Sequence, residues 1–182
     1  MNASVSSLGE MVNSSIDVMT KPSVATFERY EKRGTLQKAA VYAVVGALLA
    51  AILGAGGGIF GVIENALGSL LAFSIFVGVV YRFGKNQGGT GTLDEVAYTV
   101  ALFAVPLCVL WPAVLLVLLF IPILGWCLIP FAIAGGVIAY MFYGYLAVQS
   151  SMNMFEPRKS LITLGVAVLA TLVGYILIGN IF

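Results

Sequence analysis

Any chemistry in this sequence has to come from a few polar side chains that interrupt long apolar runs. Glu64 and Asn65 stand near the start of one run, and Tyr140 and Tyr143 lie within another. An ionised carboxylate at membrane depth is costly unless paired or hydrated, so Glu64 is a candidate contact for a proton, a cation or a lipid headgroup. The four residues form a candidate intramembrane polar site. Simpler explanations are a carboxylate stabilised by a helix dipole and tyrosines at a membrane interface.

Catalytic and metal-binding residue sets are missing from the sequence. It contains no histidine, and Cys108 and Cys127 lie in apolar surroundings that favour buried thiols over a disulfide. No Ser-x-x-Lys or Gly-x-Ser-x-Gly arrangement is present to activate a serine, and the glycine-rich run 84–91 lacks the residue order of a nucleotide-binding loop. We therefore expect no enzyme activity, no catalytic residue, no metal and no cofactor.

Composition indicates that the lipid bilayer is the solvent of this chain. Hydrophobic residues make up 60% of the 182 residues and charged residues 9%, and the mean hydropathy is +1.04. A water-soluble domain has roughly 45–50% apolar and about 25% charged residues. The net charge of +1, from scattered basic residues, gives no basis for nucleic-acid binding.

Five apolar runs are each near the ~20 residues that cross a bilayer. They predict spans at residues 36–54, 61–83, 93–119, 126–148 and 160–181. The third run contains Pro106 and Pro112, which predict helix kinks, so it is either one kinked helix or a full span followed by a partly buried segment. The predicted fold is all-α, with a five-transmembrane-helix domain over residues 36–182.

Residues 1–35 predict two short amphipathic helices on the cytoplasmic side. Ser7-Leu8-Gly9-Glu10 has the form of a capping box, and apolar residues continue the helical spacing at Leu8, Val12, Ile16 and Met19. A second helix is predicted to begin at Pro22 and to stop at Gly34. Its apolar side carries Val24, Phe27 and Tyr30, and its charged side carries Glu28, Arg29, Glu31, Lys32 and Arg33.

The distribution of charge predicts the orientation of the spans. All nine Lys and Arg residues fall on one side of the five-span arrangement, as do all acids except Glu64. Under the positive-inside rule the N-terminus is cytoplasmic and the C-terminus lies on the opposite side. Candidate contacts of this face with partners or lipids are Arg82, Lys85, Asp94, Glu95, Arg158 and Lys159. Thr92 and Glu95 also form a second capping-box pattern, which explains the acids there without a partner.

Small residues at four-residue spacing allow the spans to approach closely. They occur at Gly46-Ala50-Gly54, Gly68-Ala72, Gly135-Ala139 and Ala170-Gly174. A compact bundle and a homo-oligomer are both consistent with this pattern.

The succession of features over roughly residues 18–180 resembles the Ypt-interacting protein (Yip) domain family of five-span membrane proteins. Five pieces carry the resemblance, and they are Lys21-Pro22 with Phe27, the run Gly88-Gly89-Thr90-Gly91-Thr92, Ala104-Val105-Pro106, Ile121-Pro122 with Gly125, and a final span after a short basic loop. The resemblance implies relatives that act in traffic between endoplasmic reticulum and Golgi and bind Rab-type GTPases and one another. With about 35 residues before span one and no acidic segment there, GTPase binding is not carried over. The short form resembles a prokaryotic member, which would lie in the plasma membrane.

Two functions remain open from the sequence. The first is a non-enzymatic membrane scaffold or adaptor in membrane organisation or trafficking, which contacts lipids and protein partners through its cytoplasmic face. The second is a small transporter, channel or lipid-moving protein with a polar route near Glu64 and the kinked third span.

Overall fold

The computed structural model describes residues 2–54 and 58–179, with side chains for residues 8–54 and 58–177. Within these ranges all regular structure is α-helical. The helices in chain order are α1 (Asn2–Thr20), α2 (Val24–Glu31), α3 (Leu36–Leu53), α4 (Gly58–Asn86), α5 (Leu93–Leu119), α6 (Leu124–Ser151) and α7 (Pro157–Gly179).

Helices α3 to α7 are each long and apolar enough to cross a membrane, which confirms the predicted five-span fold. The third run forms one continuous helix, α5, with Pro106 and Pro112 inside it, so no separate segment follows the span. Helices α4 and α6 extend a few residues beyond the predicted spans, because the polar residues that close each run remain helical.

The bundle has two unlike ends. The end that we call the charged end consists of α1, α2 and the loops at residues 87–92 and 152–156, which lie beside the ends of α3 to α7. The apolar end consists of the starts of α4 and α6 and the end of α5. Its exposed side chains include Ile59, Phe60, Phe120, Ile123 and Trp126.

Small residues determine where the spanning helices touch. A Cβ atom on Gly46 would overlap Val105, and one on Gly174 would lie 2.5 Å from Ile75, so α3 meets α5 and α4 meets α7 at these glycines. Gly135 has nothing within 4 Å of the position a Cβ would take and serves no contact within the described bundle. In lipid, association depends on such close packing rather than on a hydrophobic driving force.

The structure corrects one prediction for α1. The helix begins at Asn2, so the capping pattern does not mark its start, and Ser7, whose side chain lies outside the described part, is inside the helix. Among the described side chains of α1, Met11, Ser14, Ser15 and Val18 are buried, whereas Val12 and Ile16 are 44% and 55% exposed. Helix α1 turns hydroxyl groups toward the bundle, where Ser15 and Tyr42 form a 3.1 Å hydrogen bond.

Helix α2 begins at Val24, two residues later than the predicted start at Pro22. Ser23 is the N-cap, and its Oγ accepts a 3.1 Å hydrogen bond from the Thr26 backbone N–H. Phe27 is fully buried, in agreement with the predicted apolar side. Glu31, predicted on the charged side, is buried instead, because its carboxylate points to a hydroxyl on α6.

Candidate functional site

A cleft of about 430 Å³, which we call the membrane cleft, lies between α3, α4, α5 and α6 on the side of the bundle nearer the apolar end. Ile133 and Val137 line it and are 47% and 60% exposed, so the cleft is open toward the surface of the bundle. A cavity of about 180 Å³ adjoins it and reaches α7. The residues common to both spaces are Ser69, Ala104, Cys108 and Tyr140.

Close helix contacts border this cleft. Trp111 of α5 lies against Gly136 of α6, while α4 and α7 meet at Ile75 and Gly174. Helices α6 and α7 approach each other at Gly144, where a Cβ would lie 3.0 Å from Leu164, closer to the charged end. The cleft lies between the α5–α6 pair on one side and α3 and α4 on the other.

Four polar groups lie in the otherwise apolar wall of the cleft. Asn65 and Ser69 are four residues apart on α4 and therefore share one helix face. Cys108 of α5 makes a weak contact of 3.9 Å from its Sγ to the Ser69 Oγ, and Tyr140 of α6 completes the set. Within the described part of the chain, the Asn65 amide and the Tyr140 hydroxyl have no hydrogen-bond partner, so both can bond to a molecule in the cleft.

Tyr140, in the wall of the cleft, belongs to an aromatic cluster. Tyr140 packs edge-on against Phe76 and Phe103, with ring centroids 5.7 and 5.4 Å away. Edge-to-face contacts of this length are favourable and fix the orientation of the rings. The cluster therefore holds the Tyr140 side chain in place without using its hydroxyl.

The structure separates the four residues of the predicted intramembrane site. Asn65 and Tyr140 line the membrane cleft together. Glu64 is exposed and is not among the described lining residues. Tyr143 serves the charged end, where its hydroxyl donates a 2.7 Å hydrogen bond to the Met19 carbonyl.

The two acids in the first turn of α5 act as helix caps. Asp94 Oδ1 accepts a 2.7 Å hydrogen bond from the Leu36 N–H at the start of α3. Glu95 and Thr92 form the predicted capping box, with the Thr92 N–H donating to Glu95 Oε2 at 2.7 Å and the Glu95 N–H donating to Thr92 Oγ1 at 3.3 Å. Carboxylates there also interact favourably with the helix dipoles.

Basic residues at the charged end differ in their contacts. Lys85 Nζ donates to the Thr90 carbonyl at 3.0 Å and lies 5.9 Å from the centre of the Tyr81 ring. Lys159 forms a 3.0 Å ion pair with Glu156. Arg82 and Arg158 are exposed.

Glu31 is the buried ionisable group of the charged end. Glu31 is 3% exposed, and Ser150 Oγ donates a 2.6 Å hydrogen bond to the Glu31 Oε2. Burial raises the pKa of the Glu31 carboxyl above its usual range, and the Ser150 hydrogen bond only partly opposes this. The negative charges of Glu95 and Glu28 raise the pKa further, and the positive charge of Lys32 lowers it.

Asp17 joins α1 to α2. Tyr30 donates a 2.8 Å hydrogen bond to Asp17 Oδ2, and Arg29 and Lys21 form ion pairs with the carboxylate at 3.2 and 3.3 Å. The Tyr30 hydrogen bond is the main reason that the pKa of Asp17 is lowered. Asp17 therefore keeps its negative charge to a lower pH than an ordinary aspartate, whereas Glu31 takes up a proton at a higher pH than an ordinary glutamate.

Sequence reasoning missed several of these groups. Ser69, Cys108 and Trp111 line the cleft, and the four-residue spacing of Asn65 and Ser69 was the signal that could have revealed its polar face. Both cysteines are free thiols, but the prediction that both are buried is wrong, because Cys108 is half-buried beside the cleft and Cys127 is exposed near the start of α6.

Comparison with known families agrees with this architecture. A family model described as the Yip1 domain matches residues 16–178, a range that begins within α1 and ends within α7. No curated protein and no solved structure matches the chain. Since the match covers most of the chain and all the spanning helices, the protein belongs to the Yip1 domain family of membrane proteins.

Proposed function

We propose that this protein is a non-enzymatic membrane scaffold whose charged end gathers anionic lipids and protein partners. One observation carries the proposal. Most acids of the charged end are engaged within the fold, whereas five of its basic side chains are exposed and lie outside the ion pairs between described residues. All nine Lys and Arg residues but only seven of the eight acids belong to this end, which gives it a formal charge of +2.

The engaged acids have specific partners. Glu31 is buried against Ser150, Asp94 and Glu95 cap helices, and Asp17 binds α2. By contrast, five exposed basic residues take no part in the ion pairs between described residues, and these are Lys32, Arg33, Arg82, Lys85 and Arg158.

Basic side chains beside the membrane attract anionic headgroups, by about 1 kcal/mol for each Lys or Arg near the surface. Arg82 and Arg158 lie near the end of α4 and the start of α7, next to the spanning segments. They are thus suited to contact phosphates of the surrounding leaflet. The proposal includes a cytoplasmic charged end, as the positive-inside rule predicts.

The test is the lipid preference of the full chain in nanodiscs that contain phosphatidylcholine and phosphatidylglycerol. Association of each spin-labelled lipid is measured by electron paramagnetic resonance. We expect a preference for phosphatidylglycerol that decreases at high salt and in the double variant Arg82→Gln, Arg158→Gln. Glu64→Gln, at the other end of the bundle, is the control and should leave the preference unchanged.

Equal association of both lipids, or a preference that does not change with salt or with the two arginine substitutions, would refute the lipid part of the proposal.

A transport role receives less support. The described lining of the membrane cleft holds no Asp, Glu, Lys or Arg, and Glu64 lies outside that lining. The cleft is better explained as a binding site than as an ion route.

A further inference from the structure

The membrane cleft combines an apolar wall, an opening at the bundle surface and uncharged hydrogen-bonding groups. We propose that it binds a neutral lipid, meaning a molecule with a hydrocarbon chain and an uncharged hydroxyl or carbonyl group. This site lies on the opposite half of the bundle from the charged end and does not depend on the proposed scaffold function.

The location of the opening favours a ligand that arrives from the bilayer. Ile133 and Val137 form part of the wall and are themselves exposed on the membrane-facing surface of α6. The volume of about 430 Å³ lies within the range of roughly 300–1,000 Å³ that is typical of small-molecule sites. A hydrocarbon chain can therefore enter sideways without first crossing water.

The polar groups of the wall require more than a plain hydrocarbon. The Asn65 amide can donate two hydrogen bonds and accept others, and the Tyr140 hydroxyl can donate and accept. Neither group has a partner within the described part of the chain, and an unmet hydrogen bond in a low-dielectric setting costs about 1–3 kcal/mol. A ligand with a hydroxyl or carbonyl group near Asn65 and Tyr140 would satisfy them.

The same wall argues against a charged headgroup. Its described lining residues include no basic or acidic side chain, and the exposed basic residues lie at the opposite end. Placing an ionised phosphate or carboxylate there would leave it unpaired at membrane depth, which is strongly unfavourable. The chemistry therefore selects a neutral lipid over a phospholipid headgroup.

The two cysteines provide a measurement in the unmodified chain. Cys108 lines the cleft, whereas Cys127 is exposed and is not among the lining residues. The full chain in phosphatidylcholine nanodiscs is treated with N-ethylmaleimide, with or without dioleoylglycerol, and alkylation of each cysteine is followed by mass spectrometry. Dioleoylglycerol should slow alkylation of Cys108 about tenfold and leave the rate at Cys127 unchanged.

Two variants test the hydrogen bonds. Asn65→Leu and Tyr140→Phe keep the wall apolar and remove one polar group each. Each should raise the dioleoylglycerol concentration needed for half-protection about tenfold, the change expected from about 1.4 kcal/mol of binding energy. Ser74→Ala is the matched control on α4, because its exposed hydroxyl bonds only to the Leu70 carbonyl of its own helix.

Octadecane and phosphatidylglycerol are the comparison probes. Weak or no protection by both, with protection by dioleoylglycerol, supports the proposal. Equal protection by phosphatidylglycerol would overturn the neutral-lipid assignment, and equal protection by octadecane would overturn the role of Asn65 and Tyr140. Absence of protection by any lipid would indicate that water or empty space occupies the cleft and would also overturn it.

A second measurement applies if Cys108 resists alkylation under all conditions. A photoactivatable diacylglycerol is crosslinked to the full chain in nanodiscs, and the labelled peptides are identified. Label at Asn65, Ser69 or Gly136 supports the proposal. Label confined to outward-facing positions such as Phe131 overturns it.

Discussion

The charged end and the membrane cleft are built from the same spanning helices, yet they treat polar groups in opposite ways. At the charged end Tyr143, Ser150 and Asp94 each bond to another element within 2.8 Å. In the cleft the Asn65 amide and the Tyr140 hydroxyl bond to nothing within the described part of the chain. These three groups thus hold the structure together at one end, where the buried Ser151 hydroxyl is an exception without a partner among the described residues, whereas Asn65 and Tyr140 remain available to a ligand at the other.

The comparison shows how a bundle in lipid can combine rigidity with a binding space. Because lipid supplies little hydrophobic force between helices, contacts must come from packing and hydrogen bonds. We expect substitutions at the charged end to cost stability and substitutions in the cleft to cost little.

The largest loss of stability should come from Gly91→Ala. A Cβ at this position would overlap the Ser151 backbone carbonyl, which cannot move aside as a flexible side chain would. The close approach also accompanies the 3.0 Å hydrogen bond from the Thr90 N–H to the Met152 carbonyl. We expect a loss of about 3 kcal/mol, measured by reversible unfolding in mixed micelles. Gly135→Ala, which has open space for its Cβ, should be neutral or stabilising.

The next largest effect should come from Ser150→Ala. This change leaves the buried Glu31 carboxylate without its 2.6 Å donor. The expected cost is about 2 kcal/mol at neutral pH, seen as faster hydrogen exchange in α2. Thr171→Ala, which removes a hydroxyl that bonds within its own helix, is the control. Unchanged exchange in α2 would show that Glu31 does not hold this helix.

A pH dependence should follow from the raised pKa of Glu31. The folded state binds the proton more tightly than the unfolded state, so docking of α2 weakens as pH rises from about 4.3 through the raised pKa and strengthens as pH falls. Hydrogen exchange in α2, corrected for intrinsic rates, should report this slope, and Glu31→Gln should abolish it. Asp17 has a lowered pKa, so its contribution is lost only at more acidic pH and does not mask the effect. A slope that persists in Glu31→Gln would assign it to another group.

The smallest expected change in stability gives the most direct comparison of the charged end with the membrane cleft. Tyr143→Phe removes the 2.7 Å hydrogen bond to the Met19 carbonyl and should cost about 1 kcal/mol. Tyr140→Phe removes a hydroxyl without a partner in the described structure and should not lower stability to unfolding in micelles. Equal losses from both variants would contradict the division between a hydrogen-bonded end and a free cleft.

The sequence predicted the spanning helices well because each needs a long apolar run, and such runs are visible without tertiary information. The capping box at Thr92 was equally local and is confirmed. The continuity of α5 through Pro106 and Pro112 could not be decided from the sequence, since it depends on how neighbouring helices satisfy the freed carbonyl groups.

Side-chain directions at the charged end were harder to predict. Glu31 looked like part of a solvated face, and only the position of Ser150 on a distant helix explains its burial. In the same way, Val12 and Ile16 belong to the apolar stripe of α1, but the buried face of α1 includes Ser14 and Ser15. The cleft was predicted only through Asn65 and Tyr140, because its shape depends on how distant helices pack, which has no local pattern.

Unequal helix lengths link this bundle to the thickness of its bilayer. At about 1.5 Å per residue, the 18 residues of α3 span about 27 Å, while the 29 residues of α4 span about 43 Å. The last turn of α4, with Arg82, Lys85 and Asn86, lies outside a hydrocarbon layer of about 30 Å, so the mismatch is that of the shorter α3, and each ångström of it costs a fraction of a kcal/mol. We expect the long helices to tilt more in thin bilayers, which polarised infrared spectra in short- and long-chain phosphatidylcholine would show, with an unchanged tilt refuting the idea. Hydrophobic mismatch thereby gives the protein a preference among membranes that needs no binding partner.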